Sequence, residues 1–113
     1  MHDLRKSIRY GTIGKAQITD APKCKFIVKN LSITGCCLEC ITTSNKLKTS
    51  EKYKVNIEPE RKAHIHKFEL EVECIWVRNG EDYNEFGFEI YSFPKGKNFQ
   101  NYVDYLAYRT GLV

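Results

Sequence analysis

Arg5 and Arg9 stand four residues apart, with Lys6 between them, before any periodic pattern begins in the chain. On a helix the two arginines would share a face and repel by roughly 0.2–0.5 kcal/mol. In a loose arm they cost nothing, and their use depends on what the rest of the chain sets opposite them. A second group follows in Asn30-Leu-Ser-Ile-Thr-Gly35. Asn, Ser and Gly suit a turn, through side-chain to backbone hydrogen bonds and a permitted positive φ. The spacing of Asn30 and Ser32 also presents an amide and a hydroxyl to one side, a pair able to read a purine edge. Gly35 would let a bulky ring approach the backbone.

Other groups offer less. Cys37 and Cys40 read as C-x-x-C, with Cys24, Cys36 and Cys74 as conceivable further ligands. On a strand, residues 37 and 40 point to opposite faces, and Leu38, Glu39 and Ile41 supply no tight turn to reunite them. Cys24, Cys36, Cys40 and Cys74 fall on apolar faces, where a free thiol behaves as a small hydrophobe. His64-Ile-His66 places two imidazoles on one strand face, yet no third ligand has matching spacing and His2 lies in the arm. No metal site is expected. Neither a nucleophile with its base, a phosphate loop nor an H-E-x-x-H helix is present, so no catalytic residue is assigned.

The elements that must position these groups follow from pattern. The 113 residues carry 42% hydrophobic and 28% charged side chains, which indicates one globular domain rather than disorder. No run nears the roughly 20 apolar residues of a membrane span, and no secretory apolar region opens the chain, so a cytoplasmic protein is expected. Five cysteines, an odd number, fit reduced thiols. A net charge of +4 favours an anionic partner without marking a dedicated nucleic-acid domain.

Period-two alternation dominates. Cys24, Phe26 and Val28 share a face opposite Lys23, Lys25 and Lys29, and Tyr53, Val55 and Ile57 alternate likewise. In the longest run Phe68, Leu70, Val72, Cys74 and Trp76 should point inward, with Glu69, Glu71 and Glu73 outward and paired to lysines such as Lys23–Lys29. An Asn79-Gly80 turn signal precedes Phe86, Phe88 and Ile90. Weaker strands read at about 14–19 and 36–42. The reading is mainly β: a small six-stranded antiparallel barrel over about 11–92, with the arm at 1–10. Phe99, Tyr102, Val103, Leu106 and Ala107 then follow helical spacing, predicting an amphipathic helix over about 96–110. Asn98 would be its N-cap and Gly111 its stop, with Tyr105 and Tyr108 on the exposed side.

An R-x-x-x-R arm followed by N-x-S-x-x-G at the surface of a small barrel resembles the PilZ domain, a family that binds the bacterial second messenger cyclic di-GMP. Trp76 late in the long strand, the Gly87-Phe88 pair after it and the terminal helix extend the resemblance over nearly the whole chain. The resemblance implies that Arg5 and Arg9 clamp phosphate and guanine, since a guanidinium offers a planar fork and a stacking plane that lysine lacks. It implies that Asn30 and Ser32 bond the other guanine's edge and that Gly35 permits its approach. Thr34, often a glycine in relatives, would be a secondary contact, as would Leu4, Lys6 and Ser7. Where relatives carry an arginine before the first motif arginine, a stacked ligand pair is implied. Leu4 stands there, which implies one ligand per chain.

The implied function is a stand-alone, non-enzymatic receptor whose arm orders on the ligand and signals to an unidentified protein partner. Motility, surface attachment or biofilm formation, polysaccharide production and virulence are the processes the family suggests. Two alternatives are a basic barrel binding single-stranded nucleic acid and a structural adaptor that binds no ligand. Glu69–Glu73 and the inward placing of most aromatics argue against the first.

Overall fold

The computed structural model describes residues 8–40 and 47–111. Alternating apolar residues build seven strands: β1 Tyr10–Gly11, β2 Lys15–Ile18, β3 Phe26–Leu31, β4 Gly35–Cys40, β5 Lys52–Glu58, β6 Phe68–Asn79 and β7 Asn84–Ser92. All pairings are antiparallel. Strand β2 pairs with β3 and β5, β3 with β4, β4 with β7, β7 with β6, and β6 with β5. That circuit closes a six-stranded barrel, and β1 is an extra short strand on the far end of β3. Closure leaves the barrel strands no open edge.

The interior is filled by side chains. Val28, Leu38, Val55, Ile57, Leu70, Val72, Cys74 and Phe86 are fully enclosed and, among the described residues, pack the barrel through its middle. Each such Leu, Ile or Phe contributes about 1.5–3 kcal/mol by leaving water. One end is closed by α1, Asn98–Arg109, which buries Phe99, Tyr102, Val103, Leu106 and Ala107. The Phe68 ring meets Phe99 at 5.5 Å and Tyr102 at 6.2 Å. The helix ends where Gly111 takes φ +76°, its N–H bonded to the Tyr108 carbonyl.

Several local expectations give way to tertiary structure. Asn98 is the first helical residue, and the N-cap is Lys97, which makes no side-chain cap bond. Tyr105 is half-buried, stacked on Tyr102 at 6.2 Å, while Tyr108 is exposed. His64 and His66 lie in a loop after a 3₁₀ turn, Arg61–Ala63, rather than on a strand face, and His64 takes φ 53°. The Asn79-Gly80 signal marks a loop four residues long, closed by the Gly80 N–H on the Tyr83 carbonyl. Glu71 and Glu73 stand opposite Lys54 and Lys52 of β5, because β6 lies between β5 and β7 and never meets β3.

The largest departure is Trp76. A bulge inserts Ile75 between the Cys74–Phe88 and Trp76–Gly87 pairs, so the alternation flips and Trp76 emerges on the outer face, 39% exposed.

Candidate ligand-binding site

The turn joining β3 to β4 is organised by Ser32. Its backbone N–H donates to the Gly35 carbonyl at 2.9 Å. The hydroxyl accepts from the N–H groups of Gly35 at 3.1 Å and Thr34 at 3.2 Å. It lies 3.2 Å from the Gly35 carbonyl, to which it can donate. Ser32 is fully buried, so its first role is to hold the turn, and the half-buried Asn30 alone of the pair faces outward. Gly35 is demanded by space rather than by φ, which is not positive there. A Cβ on it would fall 2.4 Å from the Phe88 carbonyl oxygen.

Arg9 crosses this turn from the segment before β1. Its Nη1 donates to Asn30 Oδ1 at 3.2 Å, and its Nη2 stands 3.5 Å from the position a Gly35 Cβ would take. Residues separated by 21 positions in the chain therefore meet in one patch. The bulge at Lys29 contributes, since it breaks the β3 register between Val28 and Asn30 and turns the amide outward.

A single rung of neighbouring strands carries the rest of the surface. Reading across, Trp76 pairs with Gly87, Gly87 with Cys37, Cys37 with Asn30 and Asn30 with Gly11. The small residues at 87 and 37 make a low floor between an aromatic ring on one side and the Arg9–Asn30 pair on the other. Beside this rung Glu85, 3% exposed, is bonded by Arg78 and, at 2.9 Å, by Lys29. Those two cations, Arg78 before Lys29, hold its carboxyl below the usual carboxylate range.

The thiols beside this patch are held protonated. Burial pushes the Cys37 thiol up to about 11, helped by the Glu85 charge, and pushes Cys36 up to about 12. Neither is a thiolate near neutral pH, the form needed for attack or metal ligation. Among the described residues no group of three or more His, Cys, Asp or Glu could hold a metal ion. What remains is a guanidinium, an amide, a flat small-residue floor and an exposed indole, which suit a planar anionic ligand.

Of the residues singled out from sequence, the fold brings Arg9, Asn30, Ser32, Thr34 and Gly35 together. Leu4, Arg5, Lys6 and Ser7 lie outside the described residues. Trp76, Arg78 and Glu85 were not assigned to the site. The alternation around Cys74 argues for an inward Trp76, and only the register shift reverses it. Among the described residues no helix is long and apolar enough to cross a membrane.

The comparisons with known proteins agree with this architecture. The Bacillus subtilis inhibitor of motility, MotI/DgrA, has a similar fold, with a TM-score of 0.79 and 17% sequence identity. The match covers 98% of this chain and 53% of that one, so the chain spans about half the length of this solved relative. No curated protein matches the sequence. The family model for the PilZ domain matches residues 3–107. With that match over nearly all its length, the chain belongs to the PilZ domain family, a family of cyclic di-GMP receptors.

Proposed function

We propose that residues 1–113 act as one module that binds cyclic di-GMP in the cytoplasm and passes the signal to a protein partner. Arg5 and Arg9 engage phosphate and guanine, Asn30 bonds a guanine edge, and Ser32 and Gly35 keep the turn low enough for the base to settle. Leu4, in place of a further guanidinium, limits the complex to one ligand per chain. The observation that carries the reading is the Arg9–Asn30 hydrogen bond above Gly35, which unites the two motif segments. Trp76 supports it by offering an exposed ring at the other end of the same rung. The family's role as binding and adaptor domains supports a receptor reading.

Isothermal titration with cyclic di-GMP tests this. Micromolar or tighter binding at a stoichiometry of one, lost in Arg9→Ala and in Arg5→Ala, is the expected result. No heat with millimolar ligand would overturn the receptor reading, and a stoichiometry of two would overturn the Leu4 argument.

A further inference from the structure

A second concave surface lies at the C-terminal end of α1. It is a groove of about 810 Å3 between the β1–β2 connection, the segment after β5 and the last turn of the helix. Its walls include Ile13, 74% exposed, together with Pro59 and Tyr105. An isoleucine left this far in water between two buried neighbours, Thr12 and Gly14, forms no part of the core.

The charges on the rim do not cancel. Arg109 is bonded to Glu60, and Lys15 stands across the β2–β5 ladder from Glu58, so these four offset one another. Arg61 and Lys62 are exposed and, among the described residues, have no carboxylate within 4.0 Å. They sit on the 3₁₀ turn Arg61–Ala63, which holds both beside the apolar wall. Two uncompensated cations are few for a run of phosphates, as on a polynucleotide or lipid surface, whereas the exposed Ile13 beside them suits a peptide side chain.

The groove is also wired to the arm. Arg109 Nη2 donates to the Gly11 carbonyl at 2.6 Å, and the Tyr102 hydroxyl bonds Thr12 and accepts from the Glu60 N–H at 3.3 Å. Gly11 and Thr12 follow Arg9 by two and three residues. A ligand that draws on Arg9 therefore acts on residues bonded to the groove's Arg109 and, through Tyr102, to Glu60.

We propose that this groove docks an acidic segment of a partner protein carrying one apolar side chain, and that cyclic di-GMP modulates its affinity. The apolar side chain packs on Ile13, Pro59 and Tyr105, and flanking carboxylates meet Arg61 and Lys62. The docking assignment stands on the groove alone, whereas the modulation rests on the receptor reading above.

The probe is a fluorescein-labelled peptide, Asp-Glu-Asp-Leu-Glu-Asp-Glu, followed by anisotropy at low salt, with a serine-centred peptide and oligothymidine as comparisons. Saturable binding is expected, weakened at least tenfold by the Arg61→Glu, Lys62→Glu double variant, by Ile13→Asp and by the serine peptide. The variants should still bind cyclic di-GMP, which shows that they are folded. Saturating cyclic di-GMP should change the peptide's affinity severalfold in the wild type and not in Arg109→Gln. No peptide binding, or binding indifferent to these substitutions, overturns the docking site. Oligothymidine binding that the double variant abolishes, without peptide binding, assigns the groove to polynucleotide instead. Peptide binding unaffected by a cyclic di-GMP that does bind overturns the coupling alone. Failure of the wild type to bind cyclic di-GMP overturns the receptor reading and leaves the docking result to be judged by itself.

Discussion

The Trp76 indole lies against the α-carbon of Gly87, so close that a β-carbon there would fall 2.1 Å from its Nε1. Two facts meet in this contact. The bulge at Ile75 delivers the ring to the outer face, and glycine is the residue that lets it lie down on the sheet. The ring then shares a rung with Cys37 and Asn30, and so belongs to the surface on which Arg9 also rests.

Gly87→Ala is expected to push the indole off the sheet and destabilise the fold by about 1–3 kcal/mol, as overpacking does. Trp76 is the sole tryptophan, so its emission reports on this position alone. Urea denaturation should show the loss, and the native emission maximum should move to the red as the ring gains water.

Arg9→Lys keeps the positive charge and removes the fork. Since a lysine cannot bond Asn30 and a phosphate in the same planar arrangement, affinity for cyclic di-GMP should fall by about tenfold or more. Titration against the wild type measures it, and equal affinities would reduce the role of Arg9 to charge alone.

Glu85 predicts an acid limb in the stability profile. Its carboxyl is held by Arg78 and Lys29, so its folded pKa lies below its unfolded value near 4.5. The stabilisation is fully present above that unfolded value and disappears as pH falls through the lower, folded one. Thermal melts between pH 7 and pH 3 should show a smaller fall for Glu85→Gln than for the wild type, although the variant starts lower at pH 7.

Tyr102→Phe removes the hydroxyl that bonds Thr12 and accepts from the Glu60 N–H. Both partners are buried. Thr12 keeps the Gly14 N–H, but the buried Glu60 N–H loses its acceptor, which should cost about 1–3 kcal/mol, read as a lower denaturation midpoint.

All five cysteines are buried, and those at 36, 37 and 74 are pushed above the ordinary thiol range mainly by desolvation. A disulfide reagent at pH 8 should titrate almost none of them in the folded protein and all five after denaturation. Rapid native reaction at Cys37 would show that the rung opens more readily than its packing suggests.

How far these features could be read from the chain depends on whether they are local. The inward rows Phe26 and Val28, Tyr53 to Ile57 and Phe68 to Cys74 follow from alternation, because a half-buried strand imposes that period. The helix stripe from Phe99 to Ala107 is legible for the same reason. Trp76 was not, since a bulge is a mismatch between two strands and leaves no mark on either one alone. The partners of Glu71 and Glu73 were not, because the order of strands around the barrel is set by closure. At the site, the residue types in N-x-S-x-x-G point to a turn. That Ser32 spends its hydroxyl inside that turn, and that Gly35 answers to the Phe88 carbonyl, are facts of neighbours distant in sequence.

The pairing of β6 with β7 contains two irregularities of opposite sense. Ile75 is the extra residue on β6, and Tyr91 is the extra residue on β7, between the Val72–Ile90 and Glu71–Ser92 pairs. Each alone would leave the two strands out of step beyond it, and together they restore the frame. The segment between them behaves as a cassette slid by one residue relative to its flanks, with Cys74 and Phe88 inside it. Deleting Ile75 alone would carry the slip to the end of the hairpin, whereas deleting Ile75 and Tyr91 together would restore an unbroken ladder. Length changes in this hairpin therefore keep its frame only in matched pairs, one per strand.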